Sequence, residues 1–401
     1  MACRRHHRAR HHPCRRRRGE GVGAGAQPAR RRRHARRGRV RPGRSGRDRR
    51  TRRQAARPRP RRISGRRRHP HPRPPQRGTG RSARLCPALD TRPPQPYGAA
   101  VSIIALTGGT GFVGTRLIAL AVEAGHQVRA LTRRPQAERK GIIWVQGDLG
   151  NTEALAQLCE GADAVIHVAG VVNAPDRAGF AAGNIDGTRN MLAAAKAQGV
   201  QRFVHVSSLA AREPELSAYG WSKAEGDKLV MASGLDWTIV RPPAIYGPGD
   251  LEMLELFKLA KKGLALMPRG GRISLIEVGD LGRLLLALAT TDGCNQILDA
   301  DDGVETGWSH KQFATAIGAA LGKRVASFAL PRMLLMAGAH MDRLVRGKNA
   351  KLTPDRVAYF CHEDWVIDAG RRPPANLWKP QVEASTGLAA TAAWYREQGL
   401  L

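Results

Sequence analysis

The chain has 401 residues and a formal net charge of +34, and this charge is distributed very unevenly. Residues 1–100 contain 34 arginines, no lysine and three acidic residues, whereas residues 101–401 contain 33 basic and 30 acidic residues. The first hundred residues are therefore excluded from forming a folded core, since their charges repel and apolar side chains are scarce. The nearly neutral remainder is long enough to bury one large core.

Two explanations fit residues 1–100, which we predict to be a disordered Arg-rich leader. A genuine arm of this composition would bind nucleic acid or an anionic membrane through counterion release. We favour a start-site artefact, because lysine is absent and because Arg, Gly, Pro and Ala dominate when GC-rich DNA is translated from too early a start. Val101 lies where a GTG initiator would begin the protein. We therefore expect no nucleic-acid partner unless the leader is genuine.

The sequence also predicts the compartment. No apolar stretch follows the early charges as a secretory signal would require, and the longest uncharged stretch is broken by Pro, Gln, Thr and Gly. Three of the six cysteines lie after residue 100, and none is spaced as a CxxC motif. We predict a cytoplasmic protein without disulfides, metal site or transmembrane segment. His126, His167 and His205 are scattered and are predicted to be structural.

From Val101 onward, strand and helix patterns alternate. An apolar stripe at helical spacing follows the first strand, and further helices are predicted at about 184–198 and 219–233. The predicted strands are, in chain order, "SIIALTG", "HQVRAL", "GIIWVQGD", "ADAVIHVAG", "RFVHVSS" and "DWTIVRPP". Short apolar strands separated by amphipathic helices predict an α/β fold with a doubly wound parallel sheet, Rossmann-like, covered on both faces.

A glycine-rich turn, Gly108-x-x-Gly111-x-x-Gly114, lies between the first strand and the first helix. The first glycine permits a tight turn, the second lets the backbone approach a pyrophosphate, and the third lets helix pack on strand. The free N–H groups of the helix N-terminus attract the anion. We predict dinucleotide binding here, with the intervening Thr110, Phe112 and Val113 included in the site.

The end of the second strand indicates which dinucleotide binds. An NAD site usually has an acidic residue there, but this chain has Arg133 and Arg134, which favour the 2′-phosphate of NADP, with NAD as the alternative. Asp148, after the third strand, has two interpretations. It either accepts a hydrogen bond from the adenine amino group or caps the helix that begins near Asn151.

The chemistry is predicted in "HVSSLAAREPELSAYGWSKAEGD". Tyr219 and Lys223 are four residues apart and therefore share one face of a helix. A nearby ammonium group stabilises a phenolate and draws the pKa of a tyrosine down from about 10. Ser208, at the end of a strand, could hydrogen-bond the same substrate oxygen. We predict catalysis by Tyr219, Lys223 and Ser208.

The motifs "TGGTGFVG", "HVAG", "NIDGTRNML", "VSS", "YGWSK" and "RPPAIYGPGD" occur in that order. Together they resemble the extended or atypical short-chain dehydrogenase/reductases, which include the NAD-dependent epimerase/dehydratases and the 3β-hydroxysteroid dehydrogenase and dihydroflavonol reductase-like proteins. The resemblance covers about 101–401. It implies an NAD(P)-binding Rossmann domain with a small C-terminal substrate lobe, mainly within 244–401.

The resemblance also implies roles for individual residues. Tyr219 would exchange a proton with the substrate oxygen during hydride transfer, Lys223 would lower the pKa of Tyr219 and hold the nicotinamide ribose, and Ser208 would orient the substrate. Ser207 is the alternative to Ser208. The remaining implied positions are Ala169 against the adenosine, Pro242 and Pro243 beside the nicotinamide, and Asn184 as a structural link.

Two features bear on the substrate. Nucleotide-sugar members often carry Asn two residues before Tyr-Gly-Pro, but here that residue is Ala244, which argues against a nucleotide-sugar epimerase or dehydratase. The segment "SFALPRMLLMAGAHMDRLV" is apolar and Met-rich, as in the branch that takes less polar substrates, and it is predicted to be core rather than a lid over the ligand. We expect reduction of a small or hydrophobic carbonyl compound. The rival of another class is a non-catalytic NAD(P)H-binding sensor or assembly protein, and the oligomeric state is left open.

Overall fold

A computed structural model describes residues 102–291, 293, 295–347, 350 and 352–401. These residues all belong to one unit of the chain, Arg81–Leu401. The predictions about residues 1–100, including disorder and nucleic-acid binding, lie outside the described residues.

The described residues form fourteen strands and eleven α-helices. The strands are β1 (Ile103–Thr107), β2 (Gln127–Thr132), β3 (Ile142–Gln146), β4 (Ala164–His167), β5 (Arg202–Val206), β6 (Asp236–Val240), β7 (Ala244–Tyr246), β8 (Leu264–Pro268), β9 (Arg272–Ile273), β10 (Leu275–Glu277), β11 (Gln296–Leu298), β12 (Trp308–Ser309), β13 (Ala326–Leu330) and β14 (Asp364–Trp365). The helices are α1 (Phe112–Glu123), α2 (Thr152–Cys159), α3 (Arg177–Ala181), α4 (Gly187–Ala197), α5 (Ala218–Met231), α6 (Leu254–Lys261), α7 (Val278–Ala289), α8 (His310–Ala320), α9 (Arg332–Arg346), α10 (Pro354–Phe360) and α11 (Ala384–Glu397).

Seven strands form the central sheet in the order β11-β6-β5-β4-β1-β2-β3, and every neighbouring pair is parallel. The chain runs from β1 outward to β3 and then crosses back to β4 on the other side of β1. This reversal opens a crevice at the carboxyl ends of β1 and β4, where ligands of such sheets bind. The predicted doubly wound, Rossmann-like fold is confirmed.

The strands alternate their side chains between two helical layers. Ile104 and Leu106 of β1 pack in a core with α1 and α7, whereas Ala105 packs in a second core with α2, α4 and α5. Because both faces of the sheet are covered, the inner strands are apolar throughout rather than alternating. This explains why their sequences appear as short continuous apolar runs.

A second region is built from the small sheets. In it β7 pairs with β10, β9 pairs with β12 and β14, and β8 pairs with β13. A third core lies here, with Tyr246, Phe257 and Tyr395 fully buried. The predicted lobe boundary of 244–401 remains a prediction. Within that range, α7 packs on α1 and β11 extends the central sheet, so residues 278–298 return to the main domain.

The Met-rich segment is not core, and this prediction is wrong. It forms β13 and α9, and within α9 only Ala339 is buried. One side of α9 packs on α10, while no described element covers its other side. The apolar composition therefore reflects a surface and not an interior.

Candidate active site

The glycine turn follows β1 at the crevice. Gly108 has a φ of +77°, which only glycine adopts readily, and its carbonyl oxygen accepts from the Gly111 N–H at 3.0 Å. A Cβ on Gly108 would lie 2.8 Å from the Ala169 nitrogen, and one on Gly114 would lie 2.0 Å from the Gly108 oxygen. A Cβ on Gly111 would meet only the Gly108 oxygen, at 3.3 Å. Gly108 and Gly114 are thus required by packing, whereas Gly111 borders open space.

The N-terminus of α1 supplies the anion-binding groups. Its N-cap is Gly111, which has no side chain to satisfy the first N–H groups, and no acidic residue lies in the first turn. Thr110 is exposed, while Phe112 and Val113 are half-buried. A bare, electropositive helix terminus beside a glycine with open space above it fits the pyrophosphate of a dinucleotide.

The end of β2 carries the predicted cofactor-selecting residues. Arg133 and Arg134 are both exposed directly after the strand. The Thr132 hydroxyl bonds the backbone of Arg134, donating to its carbonyl oxygen at 2.6 Å and accepting from its N–H at 3.3 Å. The turn that presents the two guanidinium groups is therefore held in place.

Asp148 follows β3 and is exposed. Its carboxylate accepts from the Gly150 N–H at 2.8 Å, while the cap of α2 is Asn151, whose side chain accepts from the Ala154 N–H. The interpretation of Asp148 as the helix cap is therefore wrong, because the residue at the cap position already satisfies that helix end. The adenine contact remains a prediction.

Three further predicted cofactor residues lie at the carboxyl edge of the sheet. Ala169 follows β4, and its N–H donates to the Thr107 hydroxyl at 3.1 Å, which ties β4 to β1. Pro242 and Pro243 follow β6, and the Pro242 carbonyl oxygen accepts from the Leu209 N–H at 2.9 Å. The structure brings these residues to the same edge as the glycine turn.

Tyr219 lies in the first turn of α5. This turn is fixed from two sides, because the Ser217 hydroxyl caps the helix at the Gly220 N–H and the Asp355 carboxylate accepts from the Ala218 N–H at 2.6 Å. The Tyr219 ring lies 6.1 Å from the Phe180 ring and meets the Tyr359 ring edge-on at 6.3 Å. The Tyr219 side chain therefore packs beside two aromatic rings.

Burial raises the pKa of Tyr219, and this differs from the expected direction. The groups that oppose the increase are the Ser208 hydroxyl and, after it, the positive charge of Arg356. Lys223 is not among them, and its ammonium group donates to the Val206 carbonyl oxygen at 2.8 Å. Ser208, and not Ser207, influences the pKa of the phenol, and its catalytic role remains a prediction.

Lys223 is buried, and burial lowers its pKa to about 8, although the nearby Asp227 carboxylate favours the charged form. Asp227 lies one helical turn later and is itself fully buried. It pairs with Arg241, whose Nε donates to the carboxylate at 2.9 Å. Lys223, Asp227 and Arg241 therefore form a group of neighbouring charged side chains on and beside the helix that carries the predicted catalytic tyrosine.

Asn184 forms the predicted structural link. Its amide exchanges two hydrogen bonds with the backbone of Val171, at 2.7 and 2.9 Å, and donates to the Ser222 hydroxyl at 2.9 Å. A Cβ on Gly170 would lie 2.9 Å from the Asn184 oxygen and 3.6 Å from the Lys223 ammonium nitrogen. Asn184 thus joins the loop after β4 to α5, directly beside Lys223.

The three histidines differ from one another. His167 is satisfied on both ring nitrogens by Thr107 and Thr188, at 2.7 and 3.2 Å, and burial lowers its pKa to about 3. His126 accepts from the Ser102 N–H at 3.3 Å. His205 departs from the expected satisfied histidine, because among the described residues neither of its buried ring nitrogens has a hydrogen-bond partner. It lies 3.7 Å from the Asp227 carboxylate.

A cavity of about 510 Å³ opens beside Tyr219. Its walls include Phe180 and Ala218 from the Tyr219 side, and Arg343, Pro354 and Asp355 from the elements around α9 and α10. A volume of this size accommodates a small organic ligand, which typically needs about 300–1,000 Å³.

Within residues 102–291, 293, 295–347, 350 and 352–401, no group of three or more His, Cys, Asp or Glu side chains is placed to hold a metal ion. In the same ranges, every helix is too short or too polar to cross a membrane.

Sequence reasoning missed three residues around the site. Asp227 is four residues after Lys223 in "SKAEGD", so helical spacing could have identified it. Arg356 and Tyr359 come from α10, far along the chain, and no local pattern marks them.

Comparisons with known proteins agree with this architecture. Residues 108–281 match a family model described as NAD(P)H-binding. The chain is 35% identical over 314 residues to a ceramide reductase of Caulobacter vibrioides, covering 75% of this chain and 97% of that protein. It is 38% identical over 331 residues to a putative dihydroflavonol 4-reductase of Synechocystis sp., covering 73% of this chain and 94% of that protein.

Among solved structures, the Bordetella bronchiseptica enzyme WbmH in complex with NAD+ is similar in fold. It has a TM-score of 0.58 at 19% identity, and the match covers 75% of this chain and 100% of that one. The matches to the two reductases cover 97% and 94% of the length of those proteins. The chain belongs to the extended short-chain dehydrogenase/reductase family, that of the NAD-dependent epimerase/dehydratases, and is an NAD(P)-dependent oxidoreductase.

Proposed function

We propose that this protein reduces a ketone or aldehyde group of a hydrophobic, long-chain substrate with NADPH, using Tyr219, Lys223 and Ser208. The observation that carries the proposal is the placement of three side chains near the carboxyl edge of the sheet: Ser208 follows β5, Tyr219 begins α5, and the Lys223 ammonium group donates to the Val206 carbonyl oxygen at 2.8 Å. A serine hydroxyl and a tyrosine phenol in this arrangement can both donate to one substrate oxygen.

Bound NADPH would supply a hydride to the carbonyl carbon. Tyr219 donates its proton to the carbonyl oxygen, so that one hydride and one proton convert the carbonyl group to an alcohol. Ser208 donates a hydrogen bond to the same oxygen and orients it. The Tyr219 phenol is well suited to remain protonated until reaction, because burial raises its pKa.

Lys223 acts as the charged neighbour of the tyrosine. Its pKa of about 8 means that the ammonium form dominates near neutral pH and is lost in mild alkali. The ammonium group would hold the nicotinamide ribose, while Arg356 favours the phenolate that remains after proton transfer. The Asp227 carboxylate, one helical turn after Lys223, raises the pKa of Lys223 and so favours its charged form.

The cofactor preference is proposed as NADP over NAD. The exposed Arg133 and Arg134 at the end of β2 support this choice, since each can donate charge-assisted hydrogen bonds to a 2′-phosphate. We expect Arg133→Ser/Arg134→Ser to weaken NADPH binding by roughly tenfold or more and to leave NADH binding nearly unchanged. Tighter binding of NADH than of NADPH by the unaltered protein would refute this preference.

The substrate class is supported by three independent features. Two proteins to which the chain is similar over most of its length are named a ceramide reductase and a putative dihydroflavonol 4-reductase, and neither name contains a sugar nucleotide. Ala244 offers only a methyl group where nucleotide-sugar enzymes often carry Asn. Phe180 and Tyr359 place aromatic rings around Tyr219. A long alkyl chain is favoured by such walls.

The free thiols of Cys159 and Cys361 support a reducing compartment, which we take to be the cytoplasm. The oligomeric state is not part of the proposal.

A panel of methyl ketones of increasing chain length, with NADPH oxidation as the readout, tests the proposal. We expect kcat/KM to rise with chain length. The Tyr219→Phe variant should bind NADPH normally and lose turnover by at least about a hundredfold, since general acid catalysis contributes about 10²–10⁴-fold. Unchanged turnover in Tyr219→Phe would overturn the catalytic assignment, and cofactor binding without turnover of any carbonyl compound would favour the sensor.

A further inference from the structure

One face of the molecule concentrates exposed apolar side chains. Fourteen large apolar side chains are exposed in the described part of the chain, and eight of them lie on β8, β13 and α9. We define these eight as the apolar face: Leu264, Leu266, Phe328, Met333, Leu334, Met341, Leu344 and Val345. Surface apolar residues that occur singly are ordinary, but a contiguous group marks a surface that is covered in function.

The five members on α9 form a single stripe. Two of them precede Met341 by eight and seven residues and two follow it by three and four, which places all five within an arc of about 120° on the helix surface. Met333, Leu344 and Val345 are 83%, 80% and 77% exposed, so they contact almost nothing. The opposite side of the helix holds the buried Ala339 and packs on α10. The helix therefore presents its most apolar side to the outside.

The strand members continue this face. In the parallel pair of β8 and β13, Leu264 lies beside Ala326 and Leu266 lies beside Phe328. Paired positions of neighbouring strands direct their side chains to the same side of a sheet. Because only Pro331 separates β13 from α9, strand and helix members are adjacent along the chain.

The charge around the apolar face is strongly positive. Residues 323–347 contain five basic residues and one acidic residue, whereas the rest of 101–401 contains 28 basic and 29 acidic residues. Lys261 and Lys262 add two exposed positive charges immediately before β8, beside Lys323 and Arg324 before β13. An apolar stripe with basic residues around it matches the chemistry of an anionic phospholipid surface.

We propose that the apolar face docks on an anionic bilayer, with α9 lying in the headgroup region parallel to the membrane. A second copy of this chain is the other candidate occupant. Two copies would bring two positively charged surroundings together, which costs free energy, whereas anionic headgroups attract them. Charge complementarity therefore favours lipid.

The C-terminal end of α9 reaches the cavity whose wall includes Ala218, the neighbour of Tyr219. Arg343 and Gly347, at the C-terminal end of α9, line the same cavity as Phe180 and Ala218 beside Tyr219. Docking would bring the mouth of the cavity to the membrane, so that a long-chain carbonyl substrate enters from the bilayer. This link to substrate entry rests on the proposed function, whereas the docking itself rests on the surface alone.

Hydrogen exchange of the full chain, with and without phospholipid vesicles, tests the docking. The readout is local because the 34 arginines of residues 1–100 would themselves bind anionic vesicles. We expect vesicles of phosphatidylcholine and phosphatidylglycerol to slow exchange in residues 326–347 by roughly tenfold, and pure phosphatidylcholine to slow it much less.

The Met341→Glu/Leu344→Glu variant should lose this protection, and both positions are exposed enough to accept the change. Ile143→Glu/Met231→Glu is the matched control, since it adds the same charges at exposed apolar positions of the main domain and should keep the protection. Absence of protection in 326–347 while vesicles are bound would overturn the proposal. Protection of the same residues without vesicles, increasing with protein concentration, would also overturn the proposal, because it would identify a second copy of this chain as the occupant of the apolar face.

Activity measurements separate this proposal from the proposed function. Met341→Glu/Leu344→Glu should reduce a short, water-soluble ketone at the normal rate and lose at least about tenfold with a long-chain ketone embedded in vesicles. Tyr219→Phe should lose both activities and keep the vesicle-induced protection. If the docking proposal is wrong, the reduction of the short ketone by the unaltered protein is unaffected. If the catalytic assignment is wrong, the vesicle-induced protection of residues 326–347 is unaffected.

Discussion

The glycine turn allows the packing and binding roles of two neighbouring glycines to be separated. An alanine at position 114 would place its Cβ 2.0 Å from the Gly108 oxygen and 2.8 Å from the Gly109 Cα. Both are backbone atoms, so the turn must move away from α1. Overpacking of this kind costs about 1–3 kcal/mol. At roughly 2–4 °C per kcal/mol for a domain of this size, Gly114→Ala should lower Tm by several degrees.

Gly111→Ala is the matched variant, because its Cβ meets only the Gly108 oxygen at 3.3 Å. Gly111 has a φ of −85°, which alanine adopts without strain. Alanine lowers the entropy of the unfolded chain, which stabilises the fold, but it is a poorer N-cap than glycine, which destabilises it. Because these two effects oppose each other, the free energy of unfolding should change by less than about 1 kcal/mol. The added methyl group instead fills the space where the backbone approaches a pyrophosphate. We expect NADPH affinity to fall at least about tenfold, or 1.4 kcal/mol.

Thermal denaturation of the cofactor-free variants and calorimetric titration with NADPH measure the two effects separately. The expected pattern is a lower Tm for Gly114→Ala and weaker binding at unchanged Tm for Gly111→Ala. Normal NADPH affinity in Gly111→Ala would refute the assignment of the pyrophosphate to this turn. An unchanged Tm in Gly114→Ala would refute the packing argument.

Two further predictions concern the pH dependence of the reaction. Asp227→Asn removes the carboxylate that favours the charged form of Lys223, so the pKa of Lys223 should fall below about 8. The rate of ketone reduction should then decline at a lower pH than in the unaltered protein. An identical pH profile for the two proteins would contradict this prediction. Arg356→Gln removes a positive charge that favours the Tyr219 phenolate, so the pKa of Tyr219 should rise further. Alcohol oxidation needs the phenolate, so in Arg356→Gln it should begin at higher pH. Arg356→Lys keeps the positive charge and should retain the pH profile of the unaltered protein. Equal pH profiles for the two variants would exclude an electrostatic role of Arg356.

The buried charges explain why Asp227 is worth testing for stability as well. Its carboxylate is fully buried and bonded to Arg241, whose guanidinium group would lose its partner in Asp227→Asn. Removing one member of a buried pair typically costs about 3–5 kcal/mol, because the remaining charge is left uncompensated. The pH profile of this variant must therefore be measured well below its melting temperature.

The large sheet and its cofactor turn were predictable from the sequence because both depend on local rules. Apolar runs of strand length indicated strands buried on both faces, and the spacing of Gly108, Gly111 and Gly114 between strand and helix indicated the dinucleotide site. The four-residue spacing of Tyr219 and Lys223 fixes them on one helical face in any fold. Each of these patterns is complete within about twenty residues, so no knowledge of distant contacts is needed.

The tertiary structure decided everything that joins distant parts of the chain. Arg356 reaches Tyr219 only because α10 packs against the start of α5, and burial raises the pKa of the phenol although a lysine lies one turn away. The Met-rich α9 carries several large apolar side chains on one side, and only the exposure of that side makes it a surface. Composition records how much apolar area a segment carries. Which neighbour covers that area depends on how the elements pack, and packing is set by the whole chain at once.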